Sequence, residues 1–118
     1  MVSNPFRRDD ENPPVIIIGL GRFGVSVARS LVAMGQEVMA VDLDEVRVQR
    51  YADEFTHVVQ ADSTDRDALE QLGVESFDKA VIGISNNVES SVMTALALVD
   101  YEIPDIWAKA STKTQGRI

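Results

Sequence analysis

Glycines at positions 19, 21 and 24 follow an unbroken β-branched run, Val15-Ile16-Ile17-Ile18, and precede a helical pattern. A strand, a glycine turn and a helix in this order suit the binding of a phosphate. Gly19 permits the tight turn off the strand, Gly21 lets a phosphate approach the backbone where a Cβ would intrude, and Gly24 lets the helix sit close to the strand. The N–H groups that open the helix, at its positive dipole end, then face an anion. Val38 to Val41 reads as a second strand ending at Asp42. That carboxylate follows the first glycine by about 20 residues, the distance at which a ribose diol is held in dinucleotide-binding βαβ units. The competing reading is a glycine-rich turn in an α/β domain that binds nothing.

Other chemistry finds less support. His57 begins a strand, and its sequence neighbours suggest no catalytic carboxylate or serine, so a surface or half-buried structural role is favoured over catalysis. Ser26, Ser63 and Ser85 lie outside any Gly-x-Ser-x-Gly nucleophile elbow. The absence of cysteine excludes disulfides and thiolate metal sites, and a single histidine cannot form a zinc-binding His cluster.

At 118 residues the chain is expected to form one domain with one core, too short for a two-domain enzyme. With 45% hydrophobic and 25% charged residues it has an ordinary globular composition, and no apolar run approaches the roughly 18 residues of a membrane span. No signal peptide is visible. The net charge of −8 opposes attraction to nucleic acid or anionic lipid. A cytoplasmic protein without direct membrane insertion is the expectation.

The elements that must position the glycine turn can be read in order. Residues 1–14 carry Arg7-Arg8-Asp9-Asp10-Glu11 and Pro13-Pro14 and read as a disordered leader. Val25, Ala28, Leu31 and Val32 form a helical stripe ending at Gly35. Asp44 caps a short helix to about Ala52, with Val46 inward and Arg47 and Arg50 outward, and Thr56–Gln60 is a third strand. Thr64 and Asp67 form a capping box for a helix over Asp65–Leu72, closed by Gly73. Lys79–Ile84 is a fourth strand, in which Gly83 either accommodates a helix or clears space at a crevice. Asn86 caps the next helix, with Glu89 three residues on.

In that helix Val88, Val92, Ala95, Leu96 and Val99 are expected to cover the sheet, leaving Met93, Ala97 and Leu98 for a neighbouring helix or a second subunit. Ile106–Lys109 is a fifth strand, with Trp107 read as core or interface rather than a base-stacking platform. Residues 111–118 begin another helix, at which the chain stops. Five parallel strands with right-handed crossovers imply a Rossmann-like, doubly wound α/β sheet of order 3-2-1-4-5, with the ligand crevice between strands one and four.

Four stretches carry a resemblance. They are the glycine segment Val15 to Gly24, Met34 to Asp42, Asp62-Ser63-Thr64, and Ile103 to Ala110. Together they closely resemble the amino-terminal RCK (TrkA-N, KTN) domain of Trk/Ktr potassium-uptake regulatory subunits, from Val15 to the end of the chain. The resemblance implies a cytoplasmic protein that forms a homo-oligomer, a dimer or a ring, under a membrane potassium-translocating subunit and gates it according to bound ATP/ADP or NAD(H). It puts Gly19, Leu20, Gly21, Arg22, Phe23 and Gly24 at the phosphates, Asp42 and Leu43 at the ribose, and Asp62 and Ser63 near the adenine. Ser85 and Asn86 would line the other lip. The family domain usually continues through a sixth strand and a crossover helix, and many members add an RCK-C domain; the chain reads as stopping before both.

Two functions of different class follow. A nucleotide sensor is favoured, because no acid–base pair or substrate domain accompanies the glycine turn. The cofactor half of an NAD-dependent oxidoreductase is the alternative, which the turn and Asp42 permit equally well. Arg22, between the second and third glycines, is either a solvent-facing charge or a cation for a terminal phosphate.

Overall fold

A computed structural model of the chain describes residues 13–109. The leader, apart from Pro13 and Pro14, and the helix expected over 111–118 lie outside the described residues. The chain alternates strands and helices: β1 (Val15–Ile18), α1 (Arg22–Ala33), β2 (Val38–Asp42), α2 (Glu45–Tyr51), β3 (His57–Gln60), α3 (Arg66–Gln71), a 3₁₀ turn (Val74–Ser76), β4 (Lys79–Ile82), α4 (Val88–Asp100) and β5 (Asp105–Ala108). The five strands form a parallel sheet in the order β3-β2-β1-β4-β5, as the crossover argument requires.

Why β1 takes the centre is visible in its side chains. All four residues are buried, and they alternate between two cores. Ile16 and Ile18 pack with Leu69, Phe77, Ala97 and Leu98 on the α3–α4 side. Val15 and Ile17 pack with Leu20, Val25, Ala28 and Phe55 on the α1 side. A run of β-branched residues with no polar alternation is what a strand covered on both faces needs.

The turn from β1 into α1 is built backbone against backbone. Gly19 has a φ of +106°, which an L side chain rarely adopts. A Cβ on Gly24 would lie 1.8 Å from the Gly19 carbonyl oxygen, and one on Gly83 would lie 3.1 Å from that same oxygen and from the Gly24 nitrogen. Gly83 therefore makes room for the glycine turn where α1 begins. It lies just beyond β4, which ends at Ile82, although its N–H still donates to the Ile18 carbonyl at 2.7 Å.

Several expected details differ. α2 is capped by Asp44 as expected, but Val46 is 63% exposed while Arg47 turns back toward Asp42. α3 is capped by Asp65, whose side chain accepts from the Asp67 N–H, because Thr64 donates its hydroxyl to Asp62 instead. α4 is capped by Asn87 rather than Asn86, through the Ser90 N–H.

The phase of α4 is also turned. Thr94, Ala97 and Leu98 are buried and Ala95 is half-buried, whereas Val88, Val92, Leu96 and Val99 are exposed together with Met93. Hydrophobicity alone favours the valines as the inward face. The helix instead presents a small residue, a leucine and a hydroxyl that has a partner, since Thr94 Oγ1 lies 2.8 Å from Ser63 Oγ. Trp107, on the edge strand β5, is 60% exposed and is not core.

The glycine contacts give a measurable contrast. Gly24→Ala should lower the unfolding free energy by about 3 kcal/mol or more, because the new methyl group meets a backbone carbonyl that no rotamer change can move aside. Gly35→Ala, at a φ of +86° with nothing within 4 Å of the new Cβ, should lose only about 1–2 kcal/mol from backbone conformation. Urea unfolding of the two variants reads the difference; equal losses would mean that the Gly24 contact relaxes freely.

Candidate functional site

At the carboxyl ends of β1, β2 and β4 the crossovers part in opposite directions and leave a cleft of about 390 Å³. Of the residues expected at a ligand, Gly19, Asp42, Leu43, Asp62, Ser63, Ser85 and Asn86 line it. Gly21 lies at its edge, where a Cβ would come no closer than 3.7 Å to Ser85 Oγ.

The other members of the glycine turn stand differently. Leu20 puts its side chain in the core at 2% exposure, so only its backbone is available to the site. Gly24 is buried against Gly19. Phe23 is half-buried, with Lys109 Nζ 5.8 Å from its ring centroid, and Arg22 is exposed.

Asp42 joins these parts. Its carboxylate is 8% exposed, and each oxygen accepts a backbone hydrogen bond, Oδ2 from the Leu20 N–H at 2.6 Å and Oδ1 from the Asp44 N–H at 2.8 Å. The glycine turn after β1 and the start of α2 are thus held by one side chain. A carboxylate offers about four acceptor positions, so each oxygen keeps a lone pair for a further donor such as a ribose hydroxyl.

Arg47, expected to point outward, belongs to the cleft. Its Nη1 lies 3.6 Å from Asp42 Oδ2 and its Nε 4.0 Å from Asp44 Oδ2, and among the described residues it is the only cation lining the cleft. The signal was available: Arg47 is the third residue of a helix capped by Asp44, so it projects back over the cap toward the end of β2. Thr64, expected only as a capping residue, also lines the cleft, together with Asn87 and Ser90.

On the far lip, Asp62 accepts from the Thr64 hydroxyl at 2.6 Å and from the Thr64 N–H at 2.9 Å. Those two donors, the hydroxyl first, hold its carboxyl below the ordinary aspartate value. Ser63 is buried, and its hydroxyl is engaged with Thr94.

The four α-helices among the described residues differ at their starts. α2, α3 and α4 are each capped by a side chain, from Asp44, Asp65 and Asn87. α1 begins after Gly21 with no side-chain cap and no acidic residue in its first turn. Its N–H groups and positive dipole end are therefore left for another acceptor. Among the described residues no cluster of three His, Asp or Glu side chains could hold a metal ion, and no helix is long and apolar enough to cross a membrane.

Comparison with known proteins adds the family. The TrkA-N domain model matches residues 15–118. The chain is similar to the Ktr system potassium uptake proteins A and C of Bacillus subtilis, with 42% identity over 100 residues and 43% over 102 residues. These matches cover 85% and 86% of this chain but only 45% and 46% of the relatives, so the chain spans about half their length. Among solved structures, the NAD(P)-binding domain of an exopolyphosphatase-related protein from Archaeoglobus fulgidus superposes with a TM-score of 0.72 at 28% identity, covering 87% of this chain and 77% of that one. The Kef CTD of Shewanella denitrificans in its AMP-bound form gives 0.67 at 28% identity, covering 82% and 58%. The chain thus belongs to the TrkA-N domain family.

Proposed function

We propose that this chain is a nucleotide-sensing domain of a potassium uptake system. It binds ATP and ADP, or NADH and NAD, in the cleft and regulates a membrane potassium-translocating subunit without catalysing a reaction. The observation that carries this reading is the single carboxylate of Asp42 tied to the Leu20 N–H, which joins the glycine turn to a carboxylate acceptor at one cleft. The uncapped start of α1 supports a phosphate at the turn, and the names of the relatives support potassium uptake as the setting.

In this reading the phosphates lie against Gly19 to Gly24, with Arg22 near the outermost one, the ribose on Asp42 beside Leu43, and the adenine near Asp62 and Ser63, opposite Ser85 and Asn86. The domain sits in the cytoplasm, peripheral to the membrane through its partner. Sensing requires unequal contacts by two ligands of one cleft, since equal affinity for both states shifts no equilibrium.

Arg22 is suited to supply that inequality. It is exposed at the first residue of α1, always charged, and offers a planar fork to phosphate oxygens. Arg22→Ala should weaken ATP by about 1.5–3 kcal/mol, the range for a hydrogen bond to a charged group, and ADP by less. Calorimetric titration of both nucleotides decides it. Equal losses would make Arg22 a general phosphate contact, and no loss for either would make it a solvent-facing charge.

Assembly is the second part of the proposal. Val88, Val92, Leu96 and Val99 form an exposed apolar stripe along α4, in place of the Met93, Ala97 and Leu98 face expected from the pattern. A stripe of this kind suits a two-fold contact with a second copy, as a dimer or as the repeating contact of a ring. Leu96→Glu should convert a self-associating chain into a monomer in sedimentation velocity at high concentration. A wild-type chain that sediments as a monomer there would remove α4 as the contact.

A further inference from the structure

The geometry points to Arg47 as the residue that sets how strictly the cleft excludes a phosphate at the ribose 2′ position. This rests on the reading in which Asp42 meets the ribose. Asp42 alone would exclude such a phosphate strongly, because a dianionic group would stand beside a buried carboxylate.

Asp42 is not alone. Arg47 Nη1 is 3.6 Å from its Oδ2, too far for a hydrogen bond but close enough for the two charges to offset each other over the same volume. The oxygen that faces Arg47 already takes the Leu20 N–H at 2.6 Å. At 3.6 Å the guanidinium makes no hydrogen bond to Asp42, and its separation of 4.0 Å from Asp44 Oδ2 is equally loose. With its side chain 40% exposed and five N–H donors on a planar fork, it has both freedom and capacity to take up phosphate oxygens.

The consequences for the two ligand types are opposite. A free 2′-hydroxyl donates to Asp42 and needs nothing from Arg47. A 2′-phosphate is repelled by Asp42 and attracted by Arg47 from nearly the same position. Asp42 thus fixes which ligand is preferred, and Arg47 limits by how much.

A pair of ligands that differ only in this group isolates the effect: adenosine 5′-monophosphate and adenosine 2′,5′-bisphosphate. Each is titrated calorimetrically, at one fixed ionic strength, into the wild-type chain and into Arg47→Ala, Arg47→Lys and Asp42→Asn. In Arg47→Ala the bisphosphate should weaken by about tenfold, the low end for a charge-assisted contact from a half-exposed guanidinium. The monophosphate should change by less than about threefold, the scale of an exposed ion pair. Arg47→Lys should fall between wild type and Arg47→Ala, because the charge stays while the fork is lost. Asp42→Asn keeps an oxygen for the Leu20 N–H and should move the preference toward the bisphosphate.

A ratio of the two affinities that Arg47→Ala leaves unchanged overturns the inference while the adenosine reading stands. Equal weakening of both ligands also overturns it, since Arg47 would then be a general contact. A wild-type chain that binds neither ligand removes the adenosine reading itself, and Arg47 with it.

Discussion

The hydrogen bond from the Leu20 N–H to Asp42 is the contact on which the site depends. A carboxylate at 8% exposure must have its charge met by donors. Asp42 finds them in the backbone of two separate crossovers, one leaving β1 and one entering α2. Because both loops hang on one rigid group at the end of a central strand, neither can move without leaving a buried anion partly unsatisfied. Order at the mouth of the cleft thus follows from the placement of a single acid at the end of β2, before any ligand arrives.

The floor beneath it obeys a different rule, one of volume. Gly19, Gly24 and Gly83 meet backbone to backbone, and a Cβ on any of them would lie between 1.8 and 3.1 Å from a neighbouring main-chain atom. Two of these glycines belong to the turn and one follows β4, so the contact crosses the switch point where the crossovers diverge. Gly21 differs: a Cβ there would meet Ser85 Oγ only at 3.7 Å, an ordinary distance. Its glycine is not required by the protein's own packing, which fits a position left open for an approaching phosphate.

What the sequence made legible were the features with one dominant cause. A β-branched run buried on both faces, glycines at fixed spacing and an acid at a strand end each have a single physical explanation, and together they dictate the sheet order. The features that misled were those in which two local forces compete. Along α4 the apolar valines and the small buried residues offer two stripes, and the choice falls to the Ser63–Thr94 hydroxyl pair, a contact between residues 31 apart that periodicity cannot see. Charge alone favours solvent for Arg47, yet the third position of α2 lies over Asp42, and attraction to that carboxylate decides its direction. At α3 and α4 two adjacent polar residues compete for the cap, and in each the second wins.

The same hydroxyl pair bears on how a cleft could speak to the outside of the domain. α4 meets the cleft at its start, through Asn87 and Ser90, and again one turn later, where Thr94 holds Ser63. Its opposite face carries the exposed stripe of Val88, Val92, Leu96 and Val99. A helix is stiff along its axis, so a change in how the cleft holds Ser63 or the Asn87 cap would displace the stripe as a unit rather than residue by residue. In the proposed sensor, a difference between two nucleotides at Arg22 would reach that stripe only where it also alters the lip leading into α4.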